Sequence, residues 1–315
     1  MNVLNVRTTG GYFVLGGILA ALLLSLPVSA ATWKSMATLP VPTGYAAAES
    51  INGVIYIAGG ANGVTKNSAL QSFDPQTKTW TLLASMPLTL YQGDGAGVIN
   101  SQLYVAGGWN GPLPTTNLLR YDPPSNSWTS LAGMSHLSAC GATGVINSKL
   151  YVATACNGYS GYSNYLDVYD PIANAWTSLP GSASAHGSPA SGVINGKFYV
   201  AGGLDGSGNF TPMVEVFDPA TNAWTTLASM PMAVVNAASV ALNGQLYVLG
   251  GNNGTGDVAT IQVYDPHKNK WKTLTSLPAP ISGSSGVVVY GLTFMVSGDG
   301  PGTANQYSAI APSIP

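Results

Sequence analysis

A tryptophan returns along this chain at an almost constant interval. It stands at Trp33, Trp80, Trp128, Trp176, Trp224 and Trp271, with steps of 47, 48, 48, 48 and 47 residues. A period of this length marks a repeat architecture, in which one small unit cannot bury its apolar face alone and neighbouring units bury it together. No other feature limits the possible folds so strongly.

Each unit reads as four short strands. Asn52-Gly53, Asn100-Ser101, Asn147-Ser148, Asn195-Gly196 and Asn243-Gly244 join the first strand to the second. Asn followed by Gly suits a tight primed hairpin, because both residues tolerate positive φ. The second strand ends at a glycine pair: Gly59-Gly60, Gly107-Gly108, Gly202-Gly203 and Gly250-Gly251. The third and fourth strands are linked through Asp74-Pro75, Asp122-Pro123, Asp170-Pro171, Asp218-Pro219 and Asp265-Pro266, pairs that favour a type I turn. The tryptophan that follows supplies a large apolar body to pack between units. First strands carry small side chains, such as Ala46-Ala47-Ala48, Gly95-Ala96-Gly97 and Ala190-Ser191-Gly192. Converging strands near a common axis need them.

The glycine doublet, the Tyr-Asp-Pro as at Tyr121-Asp122-Pro123 and the spaced tryptophan resemble the kelch repeat, from about Thr32 to Ile310. The resemblance implies an all-β fold, a β-propeller of four-stranded antiparallel blades. Trp33 to Pro40 matches the fourth-strand text of later units, while the last unit, Ser282 to Ile310, lacks a closing tryptophan. The expectation is six blades, the N-terminal strand completing the C-terminal one, with Trp33 beside the strand near Tyr307.

Residues 1–30 stand outside the repeat. Arg7 precedes an apolar run from about Tyr12 to Leu26, then Pro27 and the small residues Val28-Ser29-Ala30. This reads as a signal peptide, leaving residues 31–315 as one domain that is secreted or periplasmic, a monomer not stably inserted in a membrane. The net charge of −2 becomes −3 once Arg7 leaves, so no basic surface is available for nucleic acid.

Strand direction sorts the connections. The Asn-Gly and Asp-Pro turns share one face and are nearly uniform. The loops after each Gly-Gly and each Met-Pro share the other, and these differ from unit to unit. Repeats that agree where they build the scaffold and diverge on one rim point to a ligand surface there. Rim residues that the repeat leaves unexplained are Tyr45, Tyr91, Asp94, Trp109, Asn110, Tyr159, His186, Asp205, Asn236, Asn252, Asn253 and Asp299. Aromatic faces with amides and a few carboxylates suit a glycan or a protein segment. Two sequons, at Asn209 and Asn253, lie on the same loops.

Catalysis finds less support. A glycosidase needs paired carboxylates, and the chain has only two glutamates, Glu49 and Glu215. Asp94, Asp205 and Asp299 would have to cluster, or a histidine would have to meet a carboxylate in one pocket. The three histidines, His136, His186 and His267, are too scattered for a metal site, and no cofactor is expected. The copper set of the galactose-oxidase relatives has no match. The sialic-acid mutarotases resemble the chain in layout, yet its mature part has one arginine, Arg120. A binding scaffold is therefore the first reading, and a sugar mutarotase, epimerase or oxidase the second. An intracellular ubiquitin-ligase adaptor is disfavoured by the signal peptide. Cys140 and Cys156 lie at the rim ends of adjacent strands. The hairpin register opposes position 140 to 155, so a disulfide between them needs a local bulge.

Overall fold

The computed structural model describes Trp33 and residues 38–63, 65–93, 95–158, 161–274, 276–296, 299–300, 303–304 and 309–311. Five four-stranded antiparallel sheets follow one another. They are Ala47–Ile51, Val54–Ala58, Leu70–Asp74 and Thr79–Leu83; then Gly95–Ile99, Gln102–Ala106, Leu118–Asp122 and Ser127–Ser130; then Ala142–Ile146, Lys149–Ala153, Leu166–Asp170 and Ala175–Leu179; then Ala190–Ile194, Lys197–Ala201, Val214–Asp218 and Ala223–Thr226; then Ala238–Leu242, Gln245–Leu249, Ile261–Asp265 and Lys270–Leu274. Ser285–Val289, Leu292–Val296 and Ala309–Ala311 form a sixth sheet of three strands.

Of the six four-stranded blades expected, five are complete among the described residues. Among the described residues the last sheet has three strands. Residues 34–37, expected to supply a fourth, and Tyr307 lie outside the described residues. Trp33 itself packs against a cluster containing Ile261, Val263 and Leu277 of the fifth blade and Met295 of the three-stranded sheet.

The turns follow the sequence signals. Asn52-Gly53, Asn100-Ser101, Asn147-Ser148, Asn195-Gly196 and Asn243-Gly244 have positive φ at both positions, and Tyr290-Gly291 does the same in the last sheet. The Asp-Pro turns close on a further left-handed residue: Lys78, Asn126, Asn174, Asn222 and Asn269. One face of the molecule is thus a set of near-identical tight turns.

Adjacent blades are tied by more than apolar contact. The indole N–H of Trp128 donates to Ala84 O, Trp176 to Ala132 O, Trp224 to Pro180 O and Trp271 to Ala228 O, each at 2.8 Å. The same neighbouring strand end is held by Asn126, Asn174 and Asn269, whose side-chain oxygens accept from the N–H groups of Ala84, Ala132 and Ala228. The repeat tryptophan is therefore a packing body and an inter-blade hydrogen bond at once. Between sheets lie apolar seams such as Leu70, Leu103, Val105 and Leu119.

The small residues of the first strands have a specific cause. A Cβ on Gly97 would come within 2.7 Å of Val145 and Leu150, and one on Gly144 within 2.7 Å of Val193. Their hydrogens face the next blade, so the restriction is inter-blade contact. The Gly-Gly doublets answer a different demand. Gly250 has φ 68°, and a Cβ there would lie 2.5 Å from Ile281 O of the next blade's loop. The following Gly251 N–H donates to that same carbonyl. Gly60, Gly108 and Gly203 repeat the bond to Leu90, Ser138 and Val234.

Candidate functional site

Those bonds build the variable rim. Each loop after a Gly-Gly position also bridges the connection that enters its own blade: Gly44 with Ala61, Tyr91 with Trp109, Ala139 with Cys156, Gly187 with Leu204 and Val235 with Asn252. Beyond the bridge the loops diverge. Three form short ribbons, Ala61–Asn62 with Thr65–Lys66, Trp109–Asn110 with Leu113–Pro114 and Asp299–Gly300 with Thr303–Ala304. The rim is a fixed base carrying unlike tips.

One residue inward, a circuit of six backbone hydrogen bonds surrounds the axis. Tyr45 N donates to Gly283 O, Gln92 to Tyr45, Cys140 to Gln92, Ser188 to Cys140, Asn236 to Ser188 and Gly283 to Asn236, at 2.6–3.0 Å. All six residues have φ between 45° and 66°. The left-handed backbone turns each N–H and C=O sideways, towards the neighbouring blades. The circuit forms the mouth of an axial cavity of about 450 Å³.

The candidate residues fall into distinct settings. Tyr45 and Asn236 belong to the circuit and line the cavity. A Cβ on Gly283 would meet the Tyr45 ring at 2.8 Å, so that glycine makes room for the phenol. Tyr91 lies under Lys66, whose Nζ is 4.3 Å from the ring centre and donates to Gly111 O at 2.7 Å. Trp109 is half-buried, its indole N–H directed at Cys140 Sγ at 3.4 Å, while Asn110 beside it is exposed.

Asp205, Asn252 and Asn253 shape their own loops. Asp205 accepts from the N–H groups of Ser207 and Asn209, and these bonds hold its carboxyl below the usual range. Asn252 accepts from Gly254 N and donates to Asp257. Asn253 accepts from Thr255 N and Oγ1. Asp94, Tyr159 and the side chain of Asp299 lie outside the described residues, so the expected aspartate cluster has no geometry here.

His186 is buried. Its Nδ1 donates to Gly202 O at 2.8 Å, and its Nε2 meets Glu215 at 3.0 Å. Glu215 also accepts from Ala183 N and Ser184 N. Burial alone would push this carboxyl up; the His186 bond and the backbone donors outweigh it and hold it below the usual range. Equivalent third-strand positions do similar work in other blades. Gln71 brackets Val41 N and O, and Gln262 brackets Met232 N and O. Asp167 takes the His136 imidazole at 3.1 Å and the Ser178 hydroxyl at 2.7 Å. His186–Glu215 is thus a strut for the entering loop, with both ring nitrogens engaged. His136 is partly exposed and stacks on Tyr165 at 4.0 Å. Neither pair lines the axial cavity.

The disulfide that the sequence left open is not formed in this structure: Cys140 and Cys156 are thiols, and position 140 falls opposite 155 as the hairpin register implies. The bridge pairs Cys156 with Ala139, and Cys140 stands one residue past it with φ 58°, its sulfur turned towards Trp109 and Gln92. Among the described residues no group of three or more His, Cys, Asp or Glu is arranged to hold a metal, and no helix is long and apolar enough to cross a membrane.

Sequence reasoning did not mark Gln92, Cys140 or Ser188 as mouth residues. Nothing in those residue types signals a left-handed backbone; only Asn236 and Gly283 carry that hint. Glu49, weighed above only as a catalytic carboxylate, lines the cavity wall.

Radial antiparallel sheets about a lined axis define a β-propeller. Its uniform repeat turns and glycine doublets make it one of the kelch type. A family model for the Attractin/LZTR1 beta-propeller matches residues 95–298, and one for the Kelch motif matches residues 42–87. The chain belongs to this kelch-repeat propeller family. The solved structure of YjhT superposes with a TM-score of 0.74 at 20% identity, covering 88% of this chain and 95% of that one, a likeness of fold. No curated protein sequence matches.

Proposed function

We propose that the protein is an exported propeller of six blades that captures a glycan or a protein segment on its variable rim. In this reading residues 1–30 are a cleaved signal peptide and the N-terminal strand completes the three-stranded sheet. The seat of Trp33 against the fifth blade and Met295 supports that completion. The observation that carries the binding reading is the contrast between faces. One repeats the same left-handed turns blade after blade. The other sets unlike tips on a common hydrogen-bonded base. Uniform turns serve folding, whereas divergent tips on a rigid base serve recognition.

The test is a glycan array and a pull-down with the mature protein and with Trp109→Ala/Asn253→Ala. Loss of capture in the double variant, with an unchanged melting temperature, supports the rim. Undiminished capture refutes it.

A carbohydrate-active enzyme is the second reading, favoured by one observation. Asp167 orients the His136 imidazole through Nδ1, and the ring stays partly exposed on its stack with Tyr165. A carboxylate-oriented imidazole is a common proton-transfer arrangement in catalytic sites. Polarimetry of freshly dissolved sugars, with wild type and His136→Ala, decides it.

A further inference from the structure

The axial cavity contains a charge that the repeat does not require. Glu49 lies on the first inner strand, and at its position the other inner strands carry Gly97, Gly144, Gly192, Val240 and Val287. Its one hydrogen bond is local, from Ser50 N at 3.2 Å. Among the described residues no lysine or arginine lines the cavity, and no ion pair involves Glu49. Contrast Glu215, whose three bonds fasten a loop. Glu49 fastens nothing beyond its own neighbour. A carboxyl withdrawn from bulk water without a cation or a set of donors is costly to the fold.

The rest of the wall is rich in acceptors. Thr143 and Ser239 donate their hydroxyl protons to Ala96 O and Ser191 O; Ser239 Oγ also accepts from Ser191 N, which leaves it one lone pair and Thr143 two for a visitor. At the mouth end, Ser284 is 7% exposed and its Oγ has no hydrogen-bond partner. The cavity volume of about 450 Å³ falls in the range of small-molecule sites, about 300–1,000 Å³. An acceptor-lined cavity with a single carboxylate suits a donor-rich guest bearing one positive charge.

We propose that the axial channel binds a small polyhydroxylated molecule carrying a protonated amine, with the Glu49 carboxylate as counter-ion and the Thr143, Ser239 and Ser284 hydroxyls as partners for its hydroxyl groups. This site is separate from the rim. A polymer too wide for the channel reports on the rim alone, so each reading can fail without the other.

Titration calorimetry with glucamine and with sorbitol tests it, since the two differ by an ammonium in place of a hydroxyl. At pH 8 glucamine should bind wild type about tenfold more tightly or better, the size of a charge-assisted bond over a neutral one. Glu49→Gln should abolish that preference while still binding both weakly. The same loss should appear in wild type at pH 5.5, where the buried carboxyl is protonated. The other titratable groups nearby are Tyr45 and Cys140 in the wall and Tyr56 across the strand pair. Phenols ordinarily stay neutral over that range; a thiol of ordinary value near 8.5 is partly ionised at pH 8, so the same titrations are run in a Cys140→Ser background. Equal affinities at pH 8, a preference that survives Glu49→Gln, or one that is unchanged at pH 5.5 would each overturn the proposal.

Discussion

Glu49→Gln also makes a prediction about stability that needs no ligand. Burial raises the Glu49 carboxyl from 4.5 to about 7, against a smaller opposing effect of the Ser50 N–H. In the unfolded chain the group ionises near its ordinary value. Between these two pH values the unfolded state has released its proton and the native state retains it. Stability therefore falls as pH rises through this window and levels off above about 7. Full conversion corresponds to about 3 kcal/mol at 1.36 kcal/mol per pH unit. The Glu49 side chain is half-buried rather than sealed, so solvent screening reduces this to between about 1 and 3 kcal/mol. Glutamine has nearly the same shape and no charge. The variant should thus match wild type at pH 4.5 and exceed it by that amount at pH 8.5. Urea denaturation at the two pH values, followed by tryptophan fluorescence, measures the difference. A stability gap that does not change with pH would refute the buried-carboxylate argument. A gap that grows towards low pH would reverse its sign.

Two other features can be tested more simply. Glu215→Ala strands the buried His186 and the N–H groups of Ala183 and Ser184, and should cost about 3–5 kcal/mol in urea denaturation. Glu215→Gln should cost much less, because Gln71 and Gln262 hold the corresponding loops with amides; equal costs would remove the strut assignment. The two thiols predict that a reductant leaves the melting temperature unchanged, whereas a disulfide would be worth about 2–4 kcal/mol. A clear drop in melting temperature with reductant would restore the bond.

The resemblance to kelch repeats, and with it the propeller, was legible because every signal recurred in register. Asn-Gly, Gly-Gly, Asp-Pro and tryptophan each have a local physical cause, and repetition turned weak local signals into a strong one. The candidate site was legible only as a location. Asp205, Asn252 and Asn253 looked like recognition groups in the sequence. Each instead spends hydrogen bonds on its own loop, a use that cannot be told from ligand binding by residue type.

The sequence alone determined the repeat length, the four-strand unit and the positions of the tight turns, because these depend on near neighbours in the chain. Tertiary structure alone decided which side chains meet across blades. It set the indole N–H of Trp128 on Ala84 O, 44 residues away in the preceding blade, and put Glu49 in the wall of the axial cavity. Those outcomes depend on how one blade is rotated against the next. That rotation is set by packing among residues about one repeat or more apart, and no local pattern encodes it.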